Sequence, residues 1–156
     1  MSDPRFRPRD LSLEPDGFGR STLRWKTVEV LVSEYPEWGT AARRSSTSAS
    51  SAGTELSAAQ LRIRAATYLE TARLQHLLVY RIKQQLKTKK WTAARFASET
   101  GMAPDRLRKV LRGDLIMRVE DVMAADLVLG PVSDRARALE RQKQMAEQRT
   151  SGHLAR

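Results

Sequence analysis

The twenty residues Ala94–Gly113, ARFASETGMAPDRLRKVLRG, constrain the fold more than any other part of this chain. Two short amphipathic patterns meet there at one glycine. Thr92 is placed to cap a helix over Ala93–Thr100, within which Phe96 and Ala97 face inward. Gly101 falls just past its end, where the backbone needs a left-handed conformation that glycine adopts without steric cost. Met102 then plugs the turn. Pro104 suits the first turn of a second helix, because its missing N–H would have no helical partner there, and Asp105 complements the positive helix end. Leu107, Val110 and Leu111 form the apolar face, and Gly113 stops the helix after Arg112. The two helices must cross tightly, with small Ala97 at the close approach. Phe96, Met102, Leu107 and Val110 fix the angle.

The other face of the second helix carries Arg106, Arg108, Lys109 and Arg112. This one-sided charge matters because the 156-residue chain holds 28 Lys and Arg against 18 Asp and Glu, a formal charge of +10. A positive surplus of that size attracts polyanions over long range. Residues 57–90 carry eight basic residues and one acidic, and residues 92–112 carry five and two. A cationic helix held outward fits the major groove of DNA, about 12 Å wide. Arginine there bonds a guanine edge through two N–H groups; lysine does likewise or holds a phosphate.

These residues resemble the helix-turn-helix of the lambda-repressor-like (Cro and phage-repressor) family. Its pattern has an apolar residue followed by alanine, a glycine four positions on, an apolar residue directly after, and two apolar positions in the recognition helix. Phe96-Ala97, Gly101-Met102, Leu107 and Val110 match it. The segment RVEDVMAADLVLG is similar to the family's core-closing helix, with Glu120 and Asp121 at its start and Val119, Val122, Met123, Leu127 and Leu129 expected to pack. The likeness covers about forty residues strongly and about sixty with the preceding helix. It implies a transcriptional regulator that binds double-stranded DNA, a repressor of phage or mobile-element type, with a homodimer as the usual family arrangement. Three positions depart from the pattern. Ala93 stands where the family often has a phosphate-clasping glutamine, Ala103 replaces a small polar cap, and Pro104 replaces a base-reading polar residue. Readout is thereby expected from Asp105, Arg106 and Lys109, with Arg108 and Arg112 nearer the backbone and Thr92 and Arg95 adding contacts.

The whole chain reads as all-α: a compact helical bundle containing the helix-turn-helix, a long preceding helix, a flexible N-terminal arm and a C-terminal helical tail. Residues 1–20, rich in proline, glycine and charge, are expected to be the arm. Residues 21–40 form a short element that reads as a helix by its length, a start at Ser21 and Thr22 and the spacing of Leu23, Thr27, Val30, Leu31 and Glu34, although Val28, Val30 and Val32 also alternate as in a strand. Trp25 and Trp38 suggest that it docks. Residues 41–56 read as a serine- and alanine-rich linker and 57–132 as the DNA-binding domain. Ser57 and Gln60 make a capping box, followed by apolar stripes that fit one bent helix or two meeting near Thr71. Arg62, Arg64, Arg73, Arg81 and Lys83 are expected on a solvated face, and Trp91 in the core of a helix junction. Residues 133–156 form a last helix, capped by Ser133, and a tail.

The absence of cysteine excludes disulfides and thiolate sites, and His76 and His153 lie too far apart in sequence to suggest a metal site. No nucleophile–base pair, phosphate loop or carboxylate dyad stands out, so neither catalysis nor a cofactor is expected. No apolar run is long enough to span a membrane and no signal-peptide core is evident. The expected location is the cytoplasm of a bacterial or phage-infected cell, at the nucleoid. Two rival readings remain: an adaptor or antitoxin-like module gripping a protein with residues 21–40 and the long helix, and an RNA binder, for which aromatic platforms are lacking.

Overall fold

The computed structural model describes residues 6–40 and 55–153. The fold is all-α: the described residues form helices α1 (Val28–Glu34), α2 (Ala58–Lys89), α3 (Ala93–Thr100), α4 (Pro104–Leu111), α5 (Val119–Val128) and α6 (Asp134–His153), with no β-strand among them. They divide into two units. One comprises residues up to His76 together with Arg112–Ile116; the other comprises Leu77–Leu111 and the residues from Met117 onward.

In the first unit the expected flexible arm is overturned for residues 6–20. Pro8–Leu11 and Pro15–Gly17 form 3-10 turns, and Phe6, Leu11 and Phe18 are buried. Composition alone ranks such a segment as unable to fold, but three apolar anchors spaced along it bury enough surface when a partner is present. Phe6 stacks on Tyr68 with ring centroids 4.5 Å apart and meets Trp38 edge-on at 6.3 Å. Residues 1–5 and 41–54 of the expected arm and linker lie outside the described residues.

The element within residues 21–40 is a helix, but it begins at Val28 rather than near Ser21. Thr27 supplies the cap, its hydroxyl accepting the Val30 amide at 3.3 Å. The residues before it are held extended by bonds from Leu13 N–H to Arg24 O and from Lys26 N–H to Leu11 O. Leu31 and Trp38 are fully buried against Ala65, Leu69 and Ala72 of α2. The start of α2 follows the sequence closely: Ser57 Oγ accepts the Gln60 amide at 3.2 Å while Gln60 Oε1 accepts the Ser57 amide at 2.9 Å. α2 is one continuous helix, and its residues 58–76 belong to the first unit, so the compact units do not divide at residue 57. His76 closes this core. Its Nδ1 accepts the Gly19 amide at 2.9 Å, and its ring sits edge-on to Phe18 and Trp25.

Gly113 belongs to this unit and adopts φ +74° with its Cα against the Phe18 ring; a β-carbon there would lie 2.9 Å from two ring carbons. Its carbonyl accepts the Arg9 amide at 3.1 Å.

The second unit is built around Leu78, Val79, Ile82, Leu86, Phe96, Ala97, Leu107, Val110, Leu111, Ala125, Leu129 and Val132, all buried. α3 packs on α4 and on α5. Two expected packing residues of α5 are corrected: Val119 is 73% exposed and Leu127 86% exposed. They lie four residues either side of Met123, so one side of α5 carries them outward while Ala125 and Leu129 fill the core from the other. Asp126, marked by no local pattern above, builds the turn into α6. Its Oδ1 accepts the Val132 and Ser133 amides at 2.8 Å each, and Ser133 Oγ caps α6 by accepting the Ala136 amide at 3.1 Å.

Candidate nucleic-acid interface

The turn at Gly101 has the expected geometry. Thr92 Oγ1 accepts the Arg95 amide at 3.1 Å and starts α3. Gly101 takes φ +69°, in the left-handed region, and the Met102 amide reaches back to Ala97 O at 3.0 Å. These bonds satisfy the carbonyls that a helix end leaves open. Phe96 and Ala97 are buried, as are Leu107, Val110 and Leu111, and Met102 is half-buried. Of the six residues expected to build the motif, Phe96, Ala97, Leu107 and Val110 are buried where α3 packs on α4, Met102 is half-buried beside them, and Gly101 makes the exposed turn.

The charged residues divide differently. Arg108 and Lys109 are exposed on the side of α4 away from its buried leucines and valine. Lys109 Nζ lies 3.0 Å from Asp105 one turn earlier; both side chains are largely in solvent, so this pair is weakly held. Arg108 makes no ion pair among the described residues.

Arg106 is a correction. Its Nη1 and Nη2 donate to Asp121 Oδ1 and Oδ2, each at 2.8 Å, in a bidentate clamp from α4 to the first turn of α5. Asp121 also accepts the Arg118 amide at 2.8 Å and is buried. Burial pushes the Asp121 carboxyl upward, but the bonds from Arg106 and from the Arg118 amide outweigh it and hold the carboxyl below its ordinary range. The same hydrogen bond raises the Arg106 guanidinium above its already high value. A guanidinium held by two strong bonds is not free to read a base. Arg106 sits among basic residues in the sequence, which favours an outward position. At one residue before Leu107 it lies at the edge of the buried face, and only the position of α5 supplies its partner.

Arg112 is also reassigned. It lies in the first unit, where its Nε sits 3.1 Å from Asp114 Oδ2, while Arg9 Nε sits 2.9 Å from the other oxygen. On α2 Arg62, Arg73 and Lys83 are exposed, as expected of a solvated face, while Arg64 and Arg81 are half-buried. Arg62 pairs with Glu29, Arg64 donates to Trp38 O, and Arg73 pairs with Glu70. In the second unit Arg81 donates to Val132 O at 3.0 Å and to Asp134 at 2.8 Å.

The charge is unevenly shared. Counted over the whole sequence, the unit containing α3–α6 holds sixteen Lys and Arg against eight Asp and Glu, a surplus of eight. The other holds twelve against ten, a surplus of two. Nearly all of the net +10 thus belongs to the unit that carries the helix-turn-helix. Exposed Lys87, Lys89 and Lys90 end α2, and Arg95 stands on α3. Among the described residues no cluster of His, Asp or Glu is arranged to hold a metal, and no helix is long and apolar enough to cross a membrane.

Comparison of the chain with known protein families, with characterised proteins and with solved structures finds no match in any of the three.

Proposed function

We propose that this chain is a sequence-specific, double-stranded DNA-binding regulator that uses α4 as its recognition helix. The observation that carries this reading is the junction itself. Two helices lock at Gly101 over a shared apolar surface, and the outer side of the second bears exposed Arg108 and Lys109 within a unit of surplus charge +8. Phosphates would be gathered by the lysines ending α2 and by Arg95, and base edges read by Arg108 and Lys109. The resemblance to lambda-repressor-like proteins favours repression by occupancy, and a homodimer on a palindromic site is the arrangement it implies. The adaptor reading loses its main support, because Trp38 is buried and Trp25 half-buried within the first unit.

Selection of bound fragments from a random duplex pool tests the proposal. Wild-type protein should enrich a defined sequence, palindromic if it binds as a dimer. Arg108→Ala with Lys109→Ala should abolish enrichment while leaving thermal unfolding unchanged. Arg106 must be left intact in that test, since it holds α4 to α5. Failure of the wild type to retain any duplex at low salt would remove the proposal.

A further inference from the structure

Among the described residues of the second unit, Trp91 is an aromatic side chain on which two cations converge. Its backbone is fixed by the end of α2: Trp91 N–H donates to Leu86 O at 2.9 Å, and Lys90 is held in the left-handed region at φ +57°. The indole is half-buried. The Arg95 guanidinium carbon lies 4.3 Å from the ring centroid and Lys89 Nζ lies 5.4 Å from it. Each distance is within cation–π range, so the ring holds two positive groups that are at most about 10 Å apart. Glu99 approaches Arg95 only at 3.9 Å, the limit of an ion pair, from an exposed side chain. Both cationic side chains are exposed, so each charge is open to an anion from solvent.

We infer that Lys89, Trp91 and Arg95 form a phosphodiester-binding clamp, in which Trp91 is a positioning residue that holds both cations ready for backbone phosphates of a duplex. The inference rests on the DNA-binding reading and deepens it: it gives Trp91 a role other than core filling. Indole holds the long side chains in place, which lowers the freedom they lose on binding. Thr92 keeps its capping bond to the Arg95 amide and fixes where that side chain leaves α3.

Binding of the full chain to a mixed-sequence duplex, measured as a function of salt, tests this without knowledge of the operator. Lys89→Ala and Arg95→Ala should each reduce the slope of log K against log salt by about 0.9, the value for one lost phosphate contact. Trp91→Leu keeps both charges and an apolar side chain, and should weaken binding about fivefold with the slope nearly kept; Trp91→Phe should restore most of the loss. Combining Trp91→Leu with Arg95→Ala should weaken binding by less than the product of the two single losses, because part of the ring's effect passes through the arginine. Additive losses, or unchanged slopes in the two charge variants, overturn the clamp while leaving DNA binding by α4 standing. If Trp91→Leu lowers the melting temperature, the two exposed charge variants decide the matter by themselves. A wild type without affinity for duplex at low salt removes the DNA-binding reading and the clamp with it.

Discussion

Arg106→Ala should destabilise the protein rather than simply weaken its grip on DNA. The Arg106 side chain is 26% exposed and its partner Asp121 10%, and the guanidinium makes two bonds of 2.8 Å across from α4 to α5. Truncation leaves the carboxylate in a largely desolvated site with the Arg118 amide still donating to it. Removing one member of a buried ion pair costs about 3–5 kcal/mol, and partial access of water to this pair brings the expectation to about 2–3 kcal/mol. For a chain of this length that is a fall in melting temperature of about 5–10 °C. Asp121→Asn should cost a similar amount, and the double variant should reveal a coupling of about 1.5–2 kcal/mol. The effect also has a pH signature. The folded-state carboxyl titrates below its ordinary 3.8, so the stability it contributes is complete above that value and disappears as pH falls through the lower, folded-state value. The gap between wild type and Arg106→Ala should therefore be full at pH 7 and narrow towards pH 3. Urea and thermal unfolding of the four proteins at both pH values measure all of this. An Arg106→Ala variant within about 0.5 kcal/mol of wild type at pH 7, uncoupled from Asp121 but deficient in duplex binding, would refute the reasoning and return Arg106 to the groove.

Four further outcomes are expected. Gly101→Ala meets nothing within 4 Å but must adopt φ +69°, so it should cost about 1 kcal/mol by chemical denaturation. Gly113→Ala combines φ +74° with a β-carbon 2.9 Å from the Phe18 ring, and should cost clearly more, about 2–4 kcal/mol; equal costs at the two glycines would contradict the packing described at Phe18. Phe6→Ala removes a stacked, buried ring from the segment that composition marks as a loose arm, and should cost about 2–3 kcal/mol; a neutral result would restore the arm. Lys90→Gly relieves a left-handed lysine at the end of α2, and should raise the melting temperature by about 2 °C while lowering the salt slope of duplex binding by about 0.9; an unchanged slope would take Lys90 out of the phosphate contacts.

Local chemistry was legible wherever one short stretch carried both the cause and its effect. The capping box at Ser57 and Gln60, the Thr92 cap, the left-handed Gly101 and the Ser133 cap each join residues within four positions, so spacing alone specifies the bond. The buried faces of α3 and α4 follow for the same reason: Phe96, Ala97, Leu107, Val110 and Leu111 repeat at helical intervals. What tertiary structure alone decided was the choice among partners far apart in the chain. Phe6 is ordered by Tyr68, Arg64 by the Trp38 carbonyl and Gly19 by His76, none of which a local pattern announces. Arg106 and Arg108 are two residues apart and chemically alike in the sequence. One is bound to Asp121 and the other reaches solvent, because α5 packs beside only one of them. A sequence fixes how much charge a helix carries and at what interval; which of those charges stays available for a partner depends on the fold bringing an opposite charge within about 3 Å of it.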